Sequence, residues 1–195
     1  MAITINGSGT IEGISVGGLP DGIVDTDMLA NSAVTAAKST GLTSPFASYA
    51  YYEEQESAAT DAGTMTSGTW HVRALSVEVA DPDGIGALSS NKVTLQAGTY
   101  FARWSAPARQ VDRHQTRLYN DTDSSVIAYG ETYQTHYTDD NSTGTSSGAT
   151  RFTISGAKDI ALQHKCNYTQ ANYGQGLHNN FGTEVYARLE IFKEV

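Results

Sequence analysis

The sequence predicts an all-β fold, an antiparallel jelly-roll β-sandwich head that follows a short N-terminal stem with one helix. After residue 45, strand-sized runs are separated by Gly, Asp, Asn and Ser, and no helical pattern interrupts them. The 195 residues include 19 glycines and 11 tyrosines, which suits a β-protein with many turns. From residue 91 onward the connections between runs alternate between short and long. The spacing of these runs is typical of a sandwich or barrel of the jelly-roll kind.

The chain divides into a stem and attachment segment, 1–45, and a head, 46–195. In the first segment a Gly-Gly-Leu-Pro-Asp-Gly turn precedes an alanine-rich stretch, which predicts a short helix over residues 25–38. Asp25 or Thr26 can cap the start of this helix, because either side chain can accept a hydrogen bond from a free backbone amide.

The predicted helix has no partner of its own kind within the chain. Roughly 12–15 residues barely suffice for a helix in water, even in alanine-rich sequences. Its apolar side chains are few and mostly small. We therefore expect it to pack against the same helix of two other subunits, through Met28, Ala30 and Val34.

The head is expected to contain nine strands. Each is a run with β-branched, aromatic or alternating apolar residues between turn residues. The predicted strands are 48–53, 69–79, 91–95, 99–105, 114–120, 126–134, 149–155, 159–166 and 183–193.

The connections after residue 91 predict two unlike ends of the sandwich. Successive antiparallel strands place successive connections at opposite ends, so the short and the long ones separate. The short connections are 96–98, 121–125 and 156–158, and the long ones are 106–113, 135–148 and 167–182. We expect the C-terminus at the end with the short connections.

Two predicted strands, 99–105 and 183–193, carry large apolar side chains on both faces. A half-buried strand would carry them on one face only. This pattern predicts a sheet that is covered on both sides, with a subunit interface as the second cover. Single exposed aromatic residues, which are common on protein surfaces, are the alternative. The side chains expected in the interface are Tyr100, Trp104, Tyr186 and Phe192.

Several stretches resemble a known family of proteins. VGGLPDGIVDTDMLANSAVTAAK, at 16–38, resembles the linker of bacteriophage tail-fibre and virion-fibre proteins. NKVTLQAGTYFARWSAPA, HQTRLYN and EVYARLEIFK look like the C-terminal heads of such fibres, which are similar to the trimeric jelly rolls of the tumour-necrosis-factor and complement-head type. The resemblance implies a homotrimeric virion fibre whose head contacts the host surface. It also implies that the strand with Tyr100 and Trp104 and the final strand belong to the inner sheet.

Charge and composition exclude several classes of partner. The formal net charge of −9 argues against nucleic acid, because binding to phosphates needs clustered Lys and Arg. The sequence contains no run of about 18 apolar residues, so we expect no membrane insertion. Cys166 is the only cysteine, which leaves no intrachain disulfide and no zinc site built from several thiolates. We expect neither a cofactor nor a metal ion.

Two short motifs could carry chemistry. Gly-Thr-Ser-Ser-Gly at 144–148 matches a nucleophile elbow with Ser146 as the nucleophile. That motif needs a strand before it and a helix after it, whereas here a polar loop leads into a strand. His164 and Cys166 share one face of a strand and could bind a metal, but a lone cysteine is more often a small buried side chain. We therefore expect no catalytic residues and no enzymatic activity.

The long connections contain the groups that we expect to bind a receptor. Tyr and His rings can cover the apolar faces of sugars, while Asn, Asp and Arg form directed hydrogen bonds with hydroxyls. A solvated loop without a ligand is the alternative for any one of these residues. The candidates are Arg109, Arg113, His136, Tyr137, Asp139, Asp140, Tyr173, His178, Asn179 and Phe181.

The sequence thus predicts a homotrimeric phage fibre that is located on the virion after synthesis in the cytoplasm of the bacterial host. Its N-terminal segment would bind other tail or capsid proteins, and its head would bind a host surface receptor, for which a polysaccharide is one candidate. A structural fibre or decoration protein without receptor binding is the first alternative. An enzyme that acts on surface polysaccharide is the second, although the sequence offers no pair of carboxylates for it.

Overall fold

The computed structural model describes residues 45–138 and 142–195. Within these ranges the chain forms eleven strands, and no helix there is long and apolar enough to cross a membrane. The predicted helix, with Met28, Ala30 and Val34, lies outside the described residues. The strands are β1 (Phe46–Glu56), β2 (His71–Val72), β3 (Val77–Ala80), β4 (Gly86–Ser89), β5 (Lys92–Leu95), β6 (Gly98–Arg109), β7 (Arg113–Asn120), β8 (Ser125–Gln134), β9 (Thr143–Ile154), β10 (Lys158–Cys166) and β11 (Glu184–Glu194).

The strands form two antiparallel sheets that pack face to face. The first sheet has the order β3-β1-β11-β6-β9, and the second has the order β4-β5-β10-β7-β8, with β2 paired to β10. The last strand lies between β1 and β6, so strands distant in sequence are neighbours in the sheet. The predicted all-β antiparallel sandwich is confirmed.

Each of the nine predicted strands overlaps an observed one, although β6 continues to Arg109 and β9 already begins at Thr143. The predicted strand 69–79 is two strands, because β2 pairs with the second sheet and β3 pairs with the first. Between them the backbone turns at Arg73, whose carbonyl accepts a hydrogen bond from the amide of Leu75. Strand β4 was not predicted, since its sequence Gly-Ala-Leu-Ser has only one large apolar residue.

The two ends of the sandwich differ as predicted. The connections 135–142 and 167–183 lie at one end, which we call the loop end, while the C-terminal strand finishes at the other, beside the start of β1. The predicted long connection 106–113 is wrong, because β6 continues through Pro107 and leaves only 110–112. Beyond Ser105 strand β6 pairs only with β9, so it is locally an edge strand, where proline is tolerated.

The core lies between the sheets and is built from large side chains of both. Tyr52, Tyr100 and Leu189 of the first sheet are fully buried against Leu118 and Leu162 of the second. Burial of this kind contributes about 25 cal/mol per Å² of apolar surface removed from water.

Trp104 connects the two sheets by a hydrogen bond as well as by packing. Its indole Nε1 donates to Thr116 Oγ1 at 2.9 Å. Gly148 makes room for the ring, since a Cβ there would lie 2.2 Å from Trp104 Cζ2. The second glycine of Gly-Thr-Ser-Ser-Gly thus has a packing role on strand β9.

The structure corrects three residues of the predicted subunit interface. Tyr100 and Trp104 face the core of their own chain, where they are 0% and 3% exposed, so another subunit has no access to them. Tyr186 is buried as well, because a register shift in the β1–β11 pairing places Tyr186 and Ala187 opposite the single residue Glu54. The strict alternation assumed from the sequence fails at this bulge. Phe192 remains on the outer face of the first sheet.

Candidate functional site

The long loop 167–183 at the loop end has a frame of backbone hydrogen bonds. The segment 57–70, between β1 and β2, runs beside it. The amides of Met65 and Gln170 each donate to the carbonyl of the other at 3.0 Å, and the amide of Ala62 donates to the carbonyl of Gly176 at 3.1 Å. Nothing in the sequence of 57–70 indicated this role, because the pairing joins residues about a hundred positions apart.

A buried ion pair holds the same loop from below. Arg73 Nε donates to Glu54 Oε2 at 2.7 Å, and both side chains are buried. The other guanidinium nitrogens donate to the carbonyls of Pro107, at 3.2 Å, and Gln175, at 3.0 Å. One arginine therefore connects strands β1 and β6 with the loop 167–183.

Backbone amides also gather around Glu184 at the start of β11. The amides of Asn179, Asn180 and Ala59 donate to its carboxylate at 3.1, 2.6 and 3.3 Å. These hydrogen bonds, with that of Asn179 the largest cause, lower the pKa of Glu184. The predicted site residue Asn179 therefore has a structural backbone role, while its side chain is exposed.

His178, another predicted site residue, is fixed by Asp61. Both the backbone amide and the Nδ1 of His178 approach Asp61 Oδ1, at 3.0 and 2.8 Å. Its ring is consequently part of the loop frame.

Three exposed aromatic rings stack at the loop end. His136 and Tyr137 come from the connection 135–142, and Tyr168 comes from the loop 167–183. The rings of His136 and Tyr137 are 5.8 Å apart and nearly parallel, while those of Tyr137 and Tyr168 are 4.8 Å apart and tilted by 32°. The two tyrosines are 48% and 44% exposed. We call these three side chains the aromatic stack; it presents flat apolar faces and phenol hydroxyls to the solvent.

The other predicted site residues lie apart from the aromatic stack or outside the described residues. The guanidinium of Arg109 lies 5.5 Å from the ring centre of Tyr173, and Arg109 and Asn179 both line a pocket of about 270 Å³. Phe181 is 95% exposed. Arg113 lies on the outer face of the second sheet, and Asp139 and Asp140 are not among the described residues.

A second aromatic group, which is partly exposed, lies on the outer face of the first sheet. The ring of Phe46 lies 6.1 Å from that of Phe101 and 5.2 Å from that of Phe192. Arg103 places its guanidinium 5.9 Å from the ring centre of Phe192 and forms an ion pair with Glu190. We call the three phenylalanines the Phe cluster. Two of them, Phe46 and Phe101, were not predicted, because the sequence placed Tyr100 and Trp104 on this face.

The candidate residues of the two motifs considered for chemistry, Ser146, His164 and Cys166, are all buried in the sandwich. Ser146 is fully buried in strand β9, donates to the carbonyl of Glu131 at 2.6 Å and accepts from the amide of Thr116 at 2.9 Å. Burial raises the pKa of the Cys166 thiol to about 11. In the described part of the chain, no three His, Cys, Asp or Glu side chains are placed to hold a metal ion.

Comparisons with known proteins give a likeness in structure alone. No family model matches the chain, and a search of curated proteins finds no significantly similar sequence. The Eiger TNF of S. frugiperda aligns with a TM-score of 0.52 and 12% identity over 78% of this chain and 94% of that one. Murine APRIL aligns with a TM-score of 0.50 and 11% identity, over 75% and 98%. This chain has their jelly-roll fold.

The PRD1 vertex protein P5 also aligns, with 12% identity over 78% of this chain and all of that one. Its TM-score of 0.45 is too low to support an argument about function. At these identities the similarities describe the TNF-like jelly-roll fold and nothing about ligands.

Proposed function

We propose that this chain is a homotrimeric bacteriophage fibre protein whose head binds a receptor on the bacterial surface, with a surface glycan as a candidate. The observation that carries the proposal is the aromatic stack. Its side chains come from two separate connections, are about half exposed and stack on one another rather than in the core. Exposed aromatic rings that carry a polar group often bind ligands with both apolar and hydrogen-bonding surfaces.

The Phe cluster supports the trimer. Three phenylalanine rings on the outer face of a sheet are an apolar patch of the kind that marks interaction surfaces. Arg103 and Glu190 at its edge have charges of opposite sign. In a symmetric contact such charges can fix how the subunits are aligned. A second subunit on this face would cover the rings.

The arrangement of the ends suits a fibre. The first described strand starts beside the residue at which β11 ends, since Phe46 pairs with Glu194. The aromatic stack lies at the opposite end, so a stem that enters at Phe46 leaves the stack pointing away from the virion. Three linked weak sites can raise apparent affinity by roughly 10²–10⁴.

We further propose that the protein is not an enzyme and that its N-terminal segment attaches it to other proteins of the virion. Ser146, the candidate nucleophile, is buried and has hydrogen-bond partners on two neighbouring strands. The virion location rests on the resemblance of residues 16–38 to fibre linkers.

The test uses the purified full chain. Light scattering after size exclusion should give three times 20.8 kDa, and the labelled trimer should bind at least one strain in a panel of bacteria in a saturable manner. A trimer that binds no strain would instead support a structural fibre or decoration protein. Release of sugars from purified surface polysaccharide would contradict the non-enzymatic assignment.

A further inference from the structure

The outer face of the second sheet contains a second concave site, next to the loop end. It is a pocket of about 230 Å³ whose lining includes Trp70, Arg113, Gln115, Thr132, Lys165 and Asn167. The sheet register explains this grouping: Lys165 of β10 lies opposite Gln115 of β7, which lies opposite Thr132 of β8. These residues belong to four different segments of the chain.

The pocket is positive on a negative protein. The chain has 21 acidic and 12 basic residues, yet no Asp or Glu lines the pocket. Asp112 is the acidic neighbour of Arg113 in the sequence, and its carboxylate already accepts hydrogen bonds from Asn167 and Gln134.

The cations at the pocket are not used in ion pairs. In the described residues, most other Lys and Arg side chains have a carboxylate partner: Arg73, Lys92, Arg103, Arg151, Lys158 and Arg188. Within the same ranges, Arg113, Arg117 and Lys165 form no ion pair with a carboxylate. The charge of Arg113 does act on the carboxylate of Asp112, but neither Arg113, Arg117 nor Lys165 is in a close ion pair. A group of such cations on one face favours an anionic ligand.

Trp70 is held in place at the edge of the pocket. The guanidinium of Arg117 lies 4.1 Å from the ring centre of Trp70 and 4.3 Å from that of Tyr119, so the arginine is placed between the two rings. Arg117 Nε donates to Gln163 Oε1 at 2.8 Å, which fixes it to the sheet. The ring of Tyr129 lies 6.1 Å from that of Trp70, and Tyr129 is 56% exposed. An ordered indole beside a pocket can pack against one ring of a ligand without losing much side-chain freedom.

We propose that this pocket binds a sugar that carries an anionic group, a carboxylate or a phosphate. Arg113 and Lys165 would pair with the anion, while Gln115 and Thr132 would form hydrogen bonds with the hydroxyls and Trp70 would contact the ring. The volume is below the ~300–1,000 Å³ of sites for drug-sized ligands, which favours a single sugar unit. The site is separate from the aromatic stack and lies on the sheet opposite the Phe cluster, so the inference does not depend on the proposed receptor binding.

The test is a titration of the full chain with glucuronate, glucose 6-phosphate and glucose. Tryptophan fluorescence and ligand-observed NMR measure the binding. The chain has two tryptophans and Trp104 is buried in the core, so a fluorescence change reports mainly on Trp70. At least one anionic sugar should bind about tenfold or more tightly than glucose, because a hydrogen bond to a charged group contributes about 1.5–3 kcal/mol. The two anionic sugars distinguish a carboxylate from a phosphate.

Matched variants locate the binding. Arg113→Gln and Lys165→Gln should each lower the affinity for the anionic sugar about tenfold. Lys158→Gln, which removes the same charge at the far end of β10, should not change this affinity. Equal affinity for glucose, equally tight binding of acetate, or unchanged binding by both pocket variants would overturn the proposal. A protein that binds glucuronate here but attaches to no cells would support this site and contradict the proposed receptor function.

Discussion

Arg73 and Glu54 form an ion pair of 2.7 Å in the interior of the sandwich, with side-chain exposures of 0% and 1%. Burial raises the pKa of Glu54, and the charge of Arg73 opposes that rise. Because Arg73 also donates to the carbonyls of Pro107 and Gln175, the pair joins two strands of the first sheet to the loop 167–183. Loss of either partner would leave an unpaired charge or unsatisfied carbonyls in the core.

Replacement of Arg73 by Met should therefore lower the free energy of unfolding by about 3–5 kcal/mol, because the carboxylate of Glu54 would remain buried without a partner. Urea unfolding at fixed protein concentration measures the change. The double variant Arg73→Met, Glu54→Leu should recover part of the loss. Arg151→Met, which removes an exposed pair with Glu194, should cost less than about 1 kcal/mol. Equal losses for the buried and the exposed pair would contradict the assigned role.

Stability should fall in mild acid because of two buried histidines. His114 Nδ1 lies 2.9 Å from His164 Nε2, and burial, followed by the charge of Arg73, lowers the pKa of His114 from 6.5 to about 4. The unfolded chain then binds more protons than the folded one, so stability is lost as the pH falls from about 6.5 towards 4. The contribution of His114 to this loss in the free energy of unfolding approaches about 3 kcal/mol near pH 4. Urea midpoints between pH 7.5 and 4.5 measure it.

His114→Gln should flatten this pH dependence, since the amide does not titrate. The pKa of His164 is also lowered, mainly by burial, so the variant His114→Gln, His164→Gln should flatten it further. His136→Gln, at the exposed aromatic stack, is the control and should keep the wild-type profile. An unchanged profile in the double variant would assign the acid sensitivity to other groups.

A methyl group at Gly148 should destabilise the fold. The added Cβ would lie 2.2 Å from Trp104 Cζ2, so the indole or strand β9 must shift, and overpacking of this kind costs about 1–3 kcal/mol. Thermal unfolding of Gly148→Ala measures the loss. Gly156→Ala is the matched control, because a Cβ there meets no atom within 4 Å. Similar melting temperatures for the two variants would show that the ring adapts without cost.

An acidic residue in the Phe cluster should dissociate the proposed trimer. Phe101→Asp would place an unpaired charge in an apolar contact, which is strongly unfavourable. Light scattering should then report a mass near 20.8 kDa. Val126→Asp, on the exposed surface of β8 in the second sheet, should leave the mass of the assembly unchanged. If Phe101→Asp retains the trimer, the interface lies elsewhere.

Attachment to bacteria should depend on the aromatic stack. The variant Tyr137→Ser, Tyr168→Ser removes two exposed rings and should reduce cell binding at least tenfold, while the melting temperature stays near that of the wild type. The expected size reflects about 0.5–1.5 kcal/mol per aromatic contact, multiplied across three linked sites. Val79→Ser, another exposed apolar side chain, is the control in the same cell-binding assay. If the tyrosine variant attaches normally, the aromatic stack is not part of the receptor site.

The fold could be predicted from local patterns, whereas the sites depend on distant pairings. Alternating residues predicted β7 and β10 to within one residue at each end, because both strands are regular throughout. The bulge at Tyr186 reversed the face assigned to that residue, and no residue in its sequence signals the bulge. Trp70 and Lys165 were overlooked as site residues, since only the pairing of β2 with β10 brings their segments together.

The backbone frame of the loop 167–183 has a consequence for how this protein can change. Main-chain groups of 62–65 and of the loop form hydrogen bonds with one another, and these bonds do not depend on which side chains the loop carries at its exposed positions. Exposed positions such as Tyr168 and Phe181 can be exchanged while the frame persists, as in a scaffold that displays variable residues. Substitutions at these positions can therefore change the surface that the loop end presents and leave the rest of the sandwich undisturbed.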